Sequence, residues 1–300
     1  MTEYLLLQAL NGLIIGLIYA LMALGLTLIF SVLKIVNFAH GELYMLGAYF
    51  SYYLAKLFGF PPVLAVLSSM IIVFFIGVVI EVLFLRPVYT GAVERKDEYA
   101  ILITFGLSIF LQNLALFVFG PWTRRSPSFM SGTTSVYSLS ISNDRLFVSA
   151  LAVVFMIATL VIIGRTFMGK GLRAVSQDRE AAAIAGINPF KMNLLAFGAG
   201  SALAAAGGAL IGPIFLIFPT MGAMPVIKSF VIIVLGGMGS IKGCIIASLI
   251  LGEAESLGSV LFPDLTRGLA YKNAIGLLFL VVVLLVKPTG LFGEKHVRMK

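Results

Sequence analysis

Apolar stretches free of Asp, Glu, Lys and Arg run over residues 4–33, 57–80, 99–123, 146–164, 192–227, 229–241, 243–252 and 273–286. A further apolar stretch, bearing Tyr44, Tyr49, Tyr52 and Tyr53, lies between Glu42 and Lys56. A helix that crosses a bilayer needs about 20 consecutive apolar residues, and several of these stretches reach that length alone. Only 11% of the 300 residues are charged, where a soluble domain carries about 25%. Such a chain cannot cover a water-facing surface, so lipid is the solvent for most of it. The sequence predicts an all-α, polytopic membrane helix bundle of about 8–9 spans, one transmembrane domain over 1–300, with a broken or short helix near 225–262.

The N-terminal stretch has no basic region ahead of it and is too long for a signal segment, so it reads as a retained first span. The run 192–227 exceeds one span, and Gly212, Pro213, Pro219, Gly222 and Pro225 mark where its helix ends and a loop begins. Gly236-Gly-Met-Gly-Ser240 then interrupts the next apolar segment. Two readings stand for that interruption: a discontinuous helix beside a transport path, or a tight turn between two short spans. Placing the loop 165–191 and the C-terminal tail in the cytoplasm puts the N-terminus outside after nine crossings. It also puts twice as many Lys and Arg inside as outside, the sign expected of cytoplasmic loops. The net charge of +8 follows from this distribution and from anionic lipid head groups rather than from nucleic acid. The loop 120–145, rich in Ser and Thr, lies outside, either capping the external mouth and meeting a soluble partner or serving as a plain polar connection.

The cytoplasmic loop 165–191 carries a net charge of +3 and looks structured. Ser176 or Asp178 is placed to cap a short helix over Arg179–Ala185, with Glu180 in its first turn, Gly186 as its stop and Pro189 preventing continuation. The alanines of this helix offer a surface that another protein can approach closely, which reads as a docking element. Glu180-Ala181-Ala182-Ala183-Ile184-Ala185-Gly186 matches E-A-A-x-x-x-G and resembles the coupling-loop motif of ABC importer permeases. Ala196 and Gly198 stand where that motif continues with Ile and Leu. Asn37-Phe-Ala-His-Gly-Glu-Leu-Tyr-Met-Leu-Gly-Ala-Tyr49, Thr104-Phe-Gly-Leu-Ser108, Gly236-Gly-Met-Gly-Ser240 and Lys287-Pro-Thr-Gly-Leu-Phe-Gly293 follow in order. Together they resemble the branched-chain amino acid ABC permease family, above all its shorter subunit, over about Ala9 to Gly293. The resemblance implies a second related permease, two cytoplasmic ATPase subunits and a periplasmic or lipid-anchored substrate-binding protein, in the inner membrane of a bacterium or archaeon. It implies ATPase coupling through Arg173, Asp178, Arg179, Glu180, Ala181, Ala182 and Gly186, with ATP and Mg on the partner subunits and no cofactor on this chain.

Other patterns carry less. Gly164-Arg-Thr-Phe-Met-Gly-Lys170-Gly171 misses a P-loop at its last position, where the Mg-binding hydroxyl is absent, so the energy must come from another chain. His40-Gly41-Glu42 lacks the Cys pair of a zinc deaminase, since Cys244 stands alone. Asn37, His40 and Glu42 sit between the first two spans near the membrane surface; they line a path or gate, or Asn37 and Glu42 cap the second helix, and both can hold. Gln112 and Asn113 line the route or bond across helices. Glu253, with Glu255, stands at a mouth or on a plain surface. The pairs Gly12/Gly16 and Gly208/Gly212 read as close helix packing, extending to a permease dimer interface.

An ion-coupled carrier normally shows ionisable residues inside its spans, and an enzyme needs a cluster of nucleophile, base or metal ligands. The span interiors are nearly uncharged, with Glu81, close to an end before Arg86-Pro87, the clearest exception, and no such cluster is present. The expected function is the permease subunit of an ATP-driven importer for branched-chain or other small apolar amino acids. The alternatives are a permease for urea or short amides in a related importer, or an ATP-independent carrier or channel.

Overall fold

The computed structural model describes residues 2–136, 139–261 and 265–293. The tail from 294, with Lys295, Arg298 and Lys300, lies outside the described residues. The chain opens with α1 (Thr2–Leu33) and α2 (His40–Phe58). Next comes α3 (Pro62–Ile80), continued through a π-helical turn (Glu81–Leu85) into α4 (Arg86–Tyr89). Pro87 offers no N–H to the preceding turn and its ring crowds the carbonyl four residues back, and the helix widens just before it. Then follow α5 (Lys96–Phe119), a hairpin of β1 (Thr133–Val136) and β2 (Leu139–Ser142), and α6 (Asn143–Arg165). After α6 stand α7 (Phe167–Gln177), α8 (Arg179–Ile184) and α9 (Pro189–Ile211). The last helices are α10 (Ala223–Gly236), α11 (Ile241–Gly258) and α12 (Leu265–Val286).

Five of these helices are long and apolar enough to cross a bilayer alone, and the pair α10–α11, bent by 119° at Gly237–Ser240, counts as a sixth where it is taken as one broken span. The more polar α2 and the last helix, apolar over Tyr271–Val286, bring the bundle near the expected span number. The antiparallel pair β1–β2 is the one sheet among the described residues of a largely helical chain, with a single further β-bridge at Arg124–Ile217. The run 192–227 breaks where its Gly and Pro residues predict, since α9 stops at Ile211 and α10 starts at Ala223.

The centre of the bundle is α1 and α9, with 72% and 78% of their apolar windows buried, against 22% for α5 and α6. Phe75, Leu102, Phe117 and Leu285 face outward on the peripheral helices. Apolar helices gain nothing from leaving lipid for one another, so close backbone approach must hold the centre. The glycines allow it. Gly12 and Gly16 back onto α11 at Gly252 and Ser248, and Gly25 backs onto Gly200 of α9. Gly208 lies on the Tyr44 backbone of α2, and Gly212 against Ser126. The close helix packing expected of these pairs is present, and it is made within this chain rather than across a dimer interface.

One end of the bundle gathers residues the charge pattern assigns to the cytoplasm. The Tyr89 hydroxyl donates to the Leu33 carbonyl at 3.3 Å, Gly237 backs onto Gly293, and Gly239 lies beside Ser31. At the other end Arg145 meets Asn11, Ser256 donates to the Gln8 carbonyl at 2.6 Å, and Arg124 pairs with Ile217 through two backbone bonds of 2.8 Å.

Candidate coupling surface and buried polar sites

At the first of these ends, α6 turns into α7 at Thr166, whose hydroxyl accepts from the Gly169 N–H at 3.1 Å. Gly169 lies so close to the Ile162 and Ile163 carbonyls that any side chain there would collide. The near-miss to a P-loop is thus a helix-to-helix elbow, with no strand before it. Asp178 caps α8, accepting from the Glu180 and Ala181 N–H groups at 2.9 Å each. Gly186, at φ +84°, closes it. Its N–H donates to Ala183 and that of Ile187 to Ala182, both at 3.0 Å, the paired bonds of a Schellman ending. Asn188 then caps α9 behind Pro189, accepting from the Phe190 and Lys191 N–H groups.

Of the residues expected in this element, Ala182 is buried and Arg179 half-buried, while Arg173, Asp178, Glu180, Ala181 and Gly186 are exposed. Arg179 is the anchor. Its guanidinium lies 4.6 Å from the Tyr89 ring centre and 5.5 Å from that of Phe190. With the Asn193 amide turned to satisfy its neighbours, Arg179 also donates to Asn193 Oδ1 at 3.2 Å. Burial pulls its pKa below the ordinary value, and the nearby Tyr89 and Glu81 push it back up. Ile184 projects from the same short helix at 89% exposure, and Phe167 stands exposed at the start of α7.

The second site lies inside the bundle, which corrects the expected position near the membrane surface. Lys34, at φ 55°, turns the chain back after α1, and residues 35–39 carry it inward. His40 Nε2 then donates to the Met22 carbonyl at 2.9 Å. Met22 precedes Leu33 by eleven residues, about 16 Å of helix. So α2 starts well within the bundle. Asn37 and His40 are fully buried and Glu42 nearly so, with Asn37 Nδ2, His40 Nδ1 and Glu42 Oε2 unpartnered. Neither Asn37 nor Glu42 caps α2: Asn37 Oδ1 accepts from Ala39, and Glu42 Oε1 accepts from Ser108 of α5 at 3.1 Å. Gly41 lies backbone to backbone with Gly222 at the start of α10. Two helices thus begin side by side inside the bundle.

The other expected path residues do not join this group. Gln112 is half-buried one turn beyond Ser108, and Asn113 is exposed, its amide folded onto the Ile109 carbonyl at 2.8 Å. Glu253 is half-buried where α11 meets Gly12.

A third group was missed at the level of sequence. Lys228 Nζ sits 2.7 Å from Glu255 Oε2 and 2.8 Å from the Tyr19 hydroxyl. Glu255, read as a surface or mouth carboxylate, is 1% exposed. The signal was present: Lys228 and Glu255 stand on the two helices either side of the Gly236–Ser240 break, and charge within a span is costly and rarely idle.

A helix bundle with this many apolar, outward-facing spans defines a multi-pass membrane protein. Residues 8–286 match the family model described as branched-chain amino acid transport system, permease component. The chain is 34% identical to the high-affinity branched-chain amino acid transport system permease protein LivH of Salmonella typhimurium, over 98% of this chain and 97% of that one. It is 32% identical to the corresponding permease BraD of Pseudomonas aeruginosa, over 97% and 96%. It is also 30% identical to the fructose import permease protein FrcC of Rhizobium meliloti, over 75% and 63%. The chain belongs to the branched-chain amino acid ABC permease family.

Proposed function

We propose that this chain is one of two permeases in an ATP-driven importer that carries leucine, isoleucine or valine through the inner membrane of a bacterium or archaeon. The observation that carries the reading is the α7–α8 elbow. It is short, closed by a cap at each end, exposed along Ala181, Ile184 and Gly186, and seated on the bundle through Arg179. A rigid projection anchored to the spans behind it suits a part that is pushed.

In this mechanism a substrate-binding protein delivers the amino acid at the outer end. Closure of two ATPases on ATP presses the elbow of each permease. Arg179 passes the movement to Tyr89 and so to α4 and the end of α1. Alternating access follows as one group of helices rocks against another. The path runs by Asn37, His40 and Glu42, whose unpartnered atoms are suited to polar groups in transit.

Copurification of two ATPase subunits and a second permease with this chain is the expected result. Leucine transport by this chain alone, reconstituted without ATP, sinks the reading. Gly186→Arg and Glu180→Lys should both cut uptake while leaving membrane insertion intact; unchanged uptake in both counts against a docking role for the elbow.

A further inference from the structure

At the end of the bundle that the charge pattern assigns to the cytoplasm, a cavity of about 260 Å³ lies between the π-helical turn after α3 and the start of α9. Val82, Phe190 and Leu194 are its apolar walls, and Glu81, Arg86 and Lys191 place charge around it. π-Helical turns are rare and gather at functional sites; this one gives Glu81 and Val82 to the cavity.

The charges leave binding capacity. Arg86 and Lys191 are exposed, and neither side chain is in a hydrogen bond or ion pair with the described residues. Arg86 rests over the Phe190 ring, its guanidinium carbon 5.8 Å from the ring centre. Glu81 is 2% exposed, yet its carboxylate accepts no hydrogen bond from the described residues. A buried carboxylate without a donor is costly, and Arg86 and Arg179 offset it only through space. With Lys191, three cations stand around one carboxylate, an excess of two positive charges.

The position selects the ligand. The cavity ends a span whose outward face is apolar, with Phe75, Val79 and Leu83 exposed at every fourth residue. A molecule seated here has its head among cations and its body along that face. Basic pockets between spans at the cytoplasmic surface suit anionic lipid head groups, and an arginine fork matches phosphate oxygens. An ethanolamine head brings another positive charge to a place already in excess. A glycerol head brings hydroxyl donors and no charge, which is what an unbonded carboxylate can accept.

We propose that this cavity binds one anionic phospholipid of the phosphatidylglycerol type: Arg86 and Lys191 take the phosphate, Glu81 accepts from the head-group hydroxyls, and the acyl chains lie along Val79 and Leu83. Phe190 lies under both Arg86 and Arg179, so the lipid borders the anchor of the elbow. The site stands apart from the importer reading and needs no transport assay.

The test uses the full-length chain, with the subunits that copurify, in phosphatidylcholine nanodiscs. The probe is phosphatidylglycerol with a diazirine near the top of one acyl chain. After illumination the label should map to the peptides that hold Val82 and Leu194. Unlabelled phosphatidylglycerol should suppress it. Phosphatidylethanolamine at equal content, and glycerol 3-phosphate in solution, should not. In R86Q/K191Q the label should fall by about tenfold or more, as expected for two charged hydrogen-bond donors removed. R95Q/K96Q removes as much charge from an exposed stretch on the same side and should leave the label unchanged. K191Q alone alters one exposed side chain and keeps the test readable where the double variant does not fold; its label should fall about threefold or more.

Label elsewhere, or label unchanged in R86Q/K191Q and K191Q, overturns the site. Equal loss in R86Q/K191Q and R95Q/K96Q overturns it too, since general surface charge then accounts for the effect. Suppression by phosphatidylethanolamine overturns the head-group assignment, and suppression by glycerol 3-phosphate overturns lipid as the source of the phosphate. None of these outcomes bears on leucine uptake, so the importer reading stands or falls separately.

Discussion

The guanidinium carbon of Arg179 lies 4.6 Å from the Tyr89 ring centre. That cation–π contact joins a helix of six residues, α8, to α4, and the Tyr89 hydroxyl joins α4 to the end of α1. A force on the elbow has a direct route into the central helix.

Arg179→Ala is therefore expected to lower leucine uptake per ATP hydrolysed. A cation–π contact at a half-buried site is worth about 0.5–2 kcal/mol, a loss of roughly two- to thirtyfold. Arg179→Lys keeps the charge but not the planar fork and should restore only part. Because the two residues share one contact, Arg179→Ala and Tyr89→Leu should combine to less than the sum of their separate effects. The check is paired uptake and phosphate-release assays on the reconstituted complex; full additivity argues against the route.

Asp178 holds the other end of the same element. Removing a capping carboxylate typically costs about 1 kcal/mol, and a helix of under two turns has little else to sustain it. Asp178→Ala should therefore speed amide hydrogen exchange over 179–185, while Asp178→Ser keeps it slow. Hydrogen exchange read by mass spectrometry on the purified chain tests this without any transport assay.

Ile184 touches little within the chain. Ile184→Asp should leave the melting temperature of the isolated permease nearly unchanged, since exposed substitutions usually stay within about 0.5 kcal/mol. On the importer reading it should abolish copurification of the ATPase subunits. Retention of those subunits at wild-type levels removes Ile184 from the docking surface.

Gly222 and Gly41 contrast with Gly164. A Cβ at Gly222 runs into the Gly41 carbonyl, while one at Gly164 meets open space. Gly222→Ala should destabilise the protein by about 1–3 kcal/mol through overpacking. Gly164→Ala, near the end of α6, should be neutral or stabilising by up to about 1 kcal/mol. Thermal unfolding of both variants in detergent decides the matter, and equal melting temperatures refute the close contact.

The parts of the molecule readable in advance are those set by neighbours along the chain. The Asp178 cap, the Gly186 stop, the end of α9 and the break at Gly236–Ser240 each depend on a few adjacent residues, so local chemistry foretold them. What escaped depends on partners far off. Tyr19 and Glu255 are separated by 236 residues, and nothing beside either one announces the other. The depth of His40 followed the same rule, since the Met22 carbonyl fixes it and a local reading placed it at the surface. Asn113 shows the converse limit: the composition of α5 does not say which amide turns outward.

The seam between Gly41 and Gly222 has a mechanical consequence. Two helices meeting through interlocked leucines are keyed to one register, and sliding them means lifting each side chain over its neighbour. Here backbone rests on backbone at the point of contact, with Val226 and the Phe38–Phe230 ring pair beside it. Such a joint works as a bearing with few keys: α2 and α10 can roll against one another by small angles while few side chains change rotamer. The friction of the movement is set elsewhere, and the same smoothness that permits motion leaves the joint intolerant of a single added methyl group.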